Sequence, residues 1–173
     1  MFELPRAGTG GENKPDVYDP DKNPELFEGV LPRRIVAFFI DAVLIIGPII
    51  LLALFIFIFG LVTFGLGWLL FWLLSPIFVI WAIVYVGWTL SAPQSATIGM
   101  RLVDLELRTW YGGPMYFLLG AVHAIFFWIS VTTLTPLILL VALVNRQHKL
   151  LQDFLTGTVM INNAARAATL RRP

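Results

Sequence analysis

Two apolar tracts, residues 35–59 and 68–90, constrain this chain more than any other feature. Crossing a hydrocarbon core of about 30 Å takes about 20 consecutive, predominantly apolar residues, and both tracts meet that test. A third tract, residues 115–144, exceeds it. Of the 173 residues 58% are hydrophobic and only 13% charged, a balance that soluble domains of this length rarely show. The chain therefore reads as an integral membrane protein whose first partner is the lipid bilayer. A net charge of +1 argues neither way about nucleic acid, but no basic cluster with interleaved aromatics is present, so no such partner is expected. Zero cysteines exclude disulfides, thioether haem attachment and thiolate metal sites, and neither a metal nor a cofactor is expected.

The first 30 residues are a different material. They are rich in Pro, Gly, Asp and Glu, show no apolar periodicity, and read as a disordered cytoplasmic tail. The stretch has neither the basic start nor the apolar segment of a secretory signal. Its GTGG at 8–11 lacks the Gly-Lys-Ser/Thr ending of a phosphate loop. Basic residues set the orientation. Arg33 and Arg34 precede the first tract, Arg101 and Arg108 follow the second, and the connector GLVTFGLG carries no charge. This bias puts the amino terminus and residues 91–114 in the cytoplasm.

The third tract decides the number of passes. A single crossing, three passes in all, would leave Arg146, Lys149 and the closing RAATLRRP outside, against the same bias. The sequence VTTLTPL breaks the tract, and Pro136 removes a helix hydrogen bond. A Pro-kinked hairpin is therefore expected, with Arg146 and Lys149 reaching the interface. Further, VDLELRTW alternates Val103, Leu105 and Leu107 with Asp104, Glu106 and Arg108, which is a strand period. Gly112, Gly113 and Pro114 then turn the chain back. TGTVMIN, short and β-branched, is the expected partner strand. Paired strands must share one side of the bilayer, which again brings both termini inside. The expected fold is an all-α membrane bundle of three hydrophobic tracts, with a short cytoplasmic β element near 102–110 and 157–162. It divides into the tail (1–30), a transmembrane domain (31–162) and a flexible basic end (163–173).

Asp41, inside the first tract, needs a reason to be there. An acid near the centre of a spanning helix costs roughly 2.5–3.5 kcal/mol on insertion scales. Arg34 and Asp41 are seven residues apart and share a helix face, but stand about 10 Å apart along the axis, long for a direct ion pair. If the third tract starts at 115 on the cytoplasmic surface, His123 lies about 12 Å in, at the depth of Asp41. A buried carboxylate needs a donor, and His123 is one candidate. Arg33, Arg101, Arg146 and Lys149 support the same face, and Asp153 joins it if the carboxyl end returns inside. Arg34, Asp41, His123 and Asp153 thus form either an ion or proton site or a structural polar cluster. Trp68, Trp81, Trp88, Trp110 and Tyr116 read as interfacial anchors or packing surface.

Three blocks, RRIVAFFID, TIGMRLVDLEL and LLQDFLTGTVMI, resemble in order and spacing the RDD family of small bacterial membrane proteins. The resemblance covers roughly residues 30–162. It implies that Arg34 is the arginine, and Asp41 and Asp153 the two aspartates, for which the family is named. This chain departs from the pattern at Gln152, where His or Gly usually precedes the second aspartate, and at His123, where members often carry arginine. The resemblance implies an inner-membrane location and a transport role, and no catalytic mechanism. With two His and no Cys there is no recognisable nucleophile–base pair, so no enzyme is expected. Two functions stay open. One is proton-coupled transport of a cation or small solute through Asp41, in a homo-oligomer or with a partner. The other is a non-catalytic accessory or assembly subunit of a larger membrane complex.

Overall fold

The computed structural model of the chain describes residues 18–134 and 149–170. Helix α1, Val30–Val62, holds the first tract and is 33 residues long. At 1.5 Å per residue it measures about 50 Å, enough to cross about 30 Å of hydrocarbon and still carry Arg33 and Arg34 beyond it. After α1, Phe64 and Gly65 take left-handed φ of 55° and 95° and reverse the chain. The return starts as a 3-10 segment, Leu66–Leu73, and continues as α2, Leu74–Ser91. Eight residues are long for 3-10 geometry. Two glycines fix the packing here: a Cβ on Gly67 would lie 2.8 Å from the Gly60 nitrogen, so backbone meets backbone.

Both helices turn their apolar side chains outward. Phe39 of α1 is 63% exposed and Ile80 of α2 62%, and only 11% of the most apolar window is buried both in α1 and in the return from Leu66 to Ser91. A soluble core helix would bury that window, so these two are helices long and apolar enough to cross a membrane. Helix α4, Phe117–Leu134, packs against α2. The hairpin expected through Pro136, and Arg146 with it, lies outside the described residues.

The remaining elements gather where α1 begins and α2 ends. They are α3 (Ile98–Leu102), β1 (Leu105–Thr109), α5 (Leu151–Thr156), β2 (Thr158–Asn162) and α6 (Ala164–Leu170). The two expected strands pair antiparallel, with Leu107 opposite Met160 and Glu106 opposite Ile161. Strand alternation gives this small sheet two working faces. Leu105, Leu107 and Met160 join Val30, Leu90 and Met115 in a core beneath the helices. On the other face Val159 and Ile161 pack on Leu26, Phe27 and Ala167. Residues 18–29, read from the sequence as tail, are therefore folded onto the sheet through Leu26 and Phe27. The segment 163–173, read as flexible, contains α6 with Ala167 buried. Short amphipathic pieces of this kind show no periodicity in sequence, because only two or three side chains face the core.

Candidate functional site

Two polar centres form within an otherwise apolar bundle, and α1 contributes to both. The first is built on Asp41. Thr97 ends the loop after α2 and caps α3, its hydroxyl accepting from the Met100 N–H at 3.2 Å. That placement turns the start of α3 toward α1. The Gly99 N–H, one of the orphan donors of a helix start, donates to Asp41 Oδ1 at 2.8 Å. The Tyr85 hydroxyl donates to the same oxygen at 2.6 Å, and the Thr97 hydroxyl donates to Oδ2 at 2.5 Å. Gly99 is required by space: a Cβ there would lie 2.3 Å from the Ala37 carbonyl oxygen and 2.8 Å from the Asp41 carboxyl carbon. Three donors from α2, the loop and α3 thus converge on one half-buried carboxylate.

The second centre is a buried ion pair. Arg34, in the second turn of α1, donates both terminal nitrogens to Asp153 of α5, one at 2.9 Å to Oδ1 and one at 2.5 Å to Oδ2. Asp153 is 1% exposed and also accepts from the Leu150 N–H at 2.9 Å. Burial alone would raise the Asp153 carboxyl, but the Arg34 guanidinium outweighs it and holds the carboxyl below its ordinary range. His123 of α4 stands beside this pair, its Nε2 3.8 Å from Asp153 Oδ1. Its Nδ1 lies 3.2 Å from the Thr156 hydroxyl, which donates to the Gln152 carbonyl at 2.7 Å. With that proton committed, the Thr156 oxygen accepts and Nδ1 carries the hydrogen.

Between the two centres lies a cavity of about 170 Å³. Arg34, Asp41, Thr97, His123 and Gln152 line it on the polar side, and Phe38, Ile45, Phe78, Phe127 and Trp128 on the apolar side. Ring contacts hold the apolar side: Phe38 and Phe127 at 5.7 Å between centroids, Phe78 and Trp128 edge to face at 5.5 Å. Gln152 is fully buried, and among the described residues neither its amide oxygen nor its amide nitrogen has a partner.

The structure brings together Arg34, Asp153 and His123, and places Asp41 on the same cavity but in its own hydrogen-bond set. The depth match between Asp41 and His123 puts both on one wall without pairing them. Asp41 is satisfied by Tyr85, Thr97 and Gly99, because α3 folds back onto α1. The supporting basic residues do other work. Arg33 donates to Asn162 Oδ1 at 3.0 Å. Arg101 donates to the Ala96 and Thr89 carbonyls at 3.0 and 3.2 Å. The Lys149 ammonium stands 5.7 Å from the Phe154 ring centroid. Tyr85, Thr97 and Gly99 were missed as partners of Asp41, although Thr97 and Gly99 sit inside the TIGMRLVDLEL block.

The profile of the RDD family matches residues 29–157, three quarters of the chain. The chain belongs to the RDD family. Both centres, from Arg34 to Asp153, fall within the matched range, and membership together with the two long apolar helices indicates a membrane protein. No curated protein and no solved structure matches the chain.

Proposed function

We propose that this RDD-family protein is a non-enzymatic membrane carrier, binding a small solute in the cavity between α1, α2 and α4. The cavity is the observation that carries the reading: about 170 Å³ at the meeting of three helices, with Arg34, Asp41, His123 and Gln152 on its wall. Polar groups inside a bundle face its interior and mark solute or ion pathways. Asp41 supplies the coupling. Protonating it weakens its hold on three donors, which loosens α3 from α1 at the edge of the cavity. In this reading the sheet end is cytoplasmic, since Arg33, Arg34, Arg101 and Arg108 gather there and the turn at 62–67 has no charge. Both described chain ends then lie on the cytoplasmic side of a bacterial inner membrane. A bundle this thin works as a homo-oligomer or with a partner.

One observation favours the accessory-subunit alternative. Asp41 is already held by three donors, as suits a bolt between helices better than a bare cation site. Proteoliposomes containing only this protein, with an imposed pH gradient, separate the readings. Collapse of the gradient on adding small neutral solutes, lost in Asp41→Asn, supports the carrier. Collapse on adding Na⁺ alone assigns a cation instead. Silence throughout, with co-purification of one large complex, leaves the accessory role.

A further inference from the structure

The short helices α3 and α5 each serve a polar centre with one side. Helix α3 brings the Gly99 N–H to Asp41, and α5 brings Asp153 to Arg34. Their other sides are apolar and open. Ile98 and Leu102, four apart on α3, share an outward face, and Leu102 is 68% exposed. Phe154 and Leu155 are the outward residues of α5, and Leu155 is 57% exposed. Open apolar side chains rimmed by polar ones mark a contact surface.

Their level along α1 says what the contact is. At 1.5 Å per residue, α1 measures about 32 Å from Asp41 to Val62, so a hydrocarbon core of about 30 Å that ends at the Phe64 reversal has its other boundary near Asp41. Arg34 stands about 10 Å further out. Helix α3 is fastened at the first level and α5 at the second, and the two straddle the headgroup layer, continuous with the apolar surface of α1 and α2. Each also carries a cation beside its apolar face. Arg101 precedes Leu102 and is exposed, and the Lys149 ammonium stands 5.7 Å from the Phe154 ring centroid. Among the described residues neither cation is in an ion pair. No acid on either helix opposes them: α3 has none, and Asp153 is turned inward on Arg34. Asp104, just after α3, is bonded to the Asn163 amide at 3.0 Å. An apolar face with cations at its edge is the pattern of elements that lie in a bilayer surface and attract anionic lipid. We infer that α3 and α5 form a collar in the headgroup layer on the sheet side of the bilayer, and that Arg101 and Lys149 on it take anionic phospholipids. The inference goes beyond the carrier reading and does not depend on it.

The full chain is reconstituted in nanodiscs of mixed phosphatidylcholine and phosphatidylglycerol, with single nitroxide labels on Leu102→Cys, Leu155→Cys and Ala165→Cys. Labels at 102 and 155 should relax more with oxygen than with a water-soluble nickel chelate, and the label at 165 the reverse. Labels at 102 and 155 that match 165 would overturn the collar. So would labels shielded from both relaxants and broadened by one another, which would mean that a second copy covers this face. Headgroup preference is read from unlabelled protein with spin-labelled lipids. Phosphatidylglycerol should be held about fivefold over phosphatidylcholine at low salt. Lys149→Gln and Arg101→Gln should each reduce that preference. Lys149→Gln leaves the two carbonyl bonds of Arg101 in place, so it decides the matter even if Arg101→Gln fails to fold. Equal retention of the two lipids by the wild type, or an undiminished preference in Lys149→Gln, would overturn the anionic assignment.

Discussion

Asp41 and Asp153 are both acids in a lipid-facing protein, yet they are stabilised by different means, and substitutions should tell them apart. Asp41 is met by neutral donors. Asp41→Asn keeps an acceptor for Tyr85 and Gly99, so folded yield should stay near wild type. Asp41→Leu strands three donors at about 1–3 kcal/mol each. Matching thermal stability of the two variants in detergent would count against the hydrogen-bond set. Asp153 is met by a cation. Removing one partner of a buried pair costs about 3–5 kcal/mol, whereas replacing both by hydrocarbon is often neutral. Arg34→Met and Asp153→Leu should each destabilise strongly, and the double variant should recover most of the loss; additive losses would refute the pairing. The same pair sets an acid limit. The Asp153 carboxyl titrates below its ordinary 3.8 when folded, so the unfolded chain binds its proton first as the pH falls. The pair's contribution is complete above pH 3.8 and drains away as pH drops through the folded value. Melting curves from about pH 5 down to about pH 2 should show that loss in the wild type, and Asp153→Asn should lack it.

Helix α3 is five residues long, too short to be stable alone, and its place is set by contact with α1. Gly99→Ala would press a methyl into the Ala37 carbonyl and the Asp41 carboxylate, so overpacking of about 1–3 kcal/mol is expected, with loss of the Tyr85–Asp41 contact. A Gly99→Ala protein as stable as wild type would show that α3 does not seat there. What could be read in the sequence follows the same division between strong and weak patterns. The tracts at 35–59 and 68–90 are apolar over a membrane's width, VDLELRTW alternates and TGTVMIN is β-branched, and α1, α2 and the β1–β2 pair follow from them. Residues 24–28 and α6 are held by Leu26, Phe27 and Ala167, too few side chains to leave a period. For the site, the resemblance to the family singled out Arg34, Asp41 and Asp153, but their partners depend on where α3 and α5 turn. Arg34 meets Asp153 across 119 residues, and Asp41 meets Thr97 across 56. Depth arguments along a helix give height in the bundle but no azimuth, which is why His123 was aligned with Asp41 while contacting Asp153 and Thr156.

At the scale of the molecule, the sheet and the reversal at Phe64 occupy opposite ends of α1, and the proposed topology makes that visible. The chain has no cysteine, so single substitutions report cleanly. Glu28→Cys and Ala165→Cys should be modified together by an impermeant maleimide from the cytoplasmic face, and Phe64→Cys, 99% exposed, only from the other. Labelling of residues 28 and 165 from different faces would break the proposed arrangement. The Arg34–Asp153 bond also has a history written into its sequence separation. A ribosome adding about 5–20 residues per second needs on the order of ten seconds to travel from one partner to the other. Through that interval Arg34, at the start of an apolar helix, is without the carboxylate that pairs it in the folded chain. The nascent chain therefore waits, unfinished, until Asp153 has been added. A stop codon anywhere before Asp153 should deliver not a shortened, stable protein but a substrate for membrane quality-control proteases, with pulse-chase half-lives falling abruptly across that one codon.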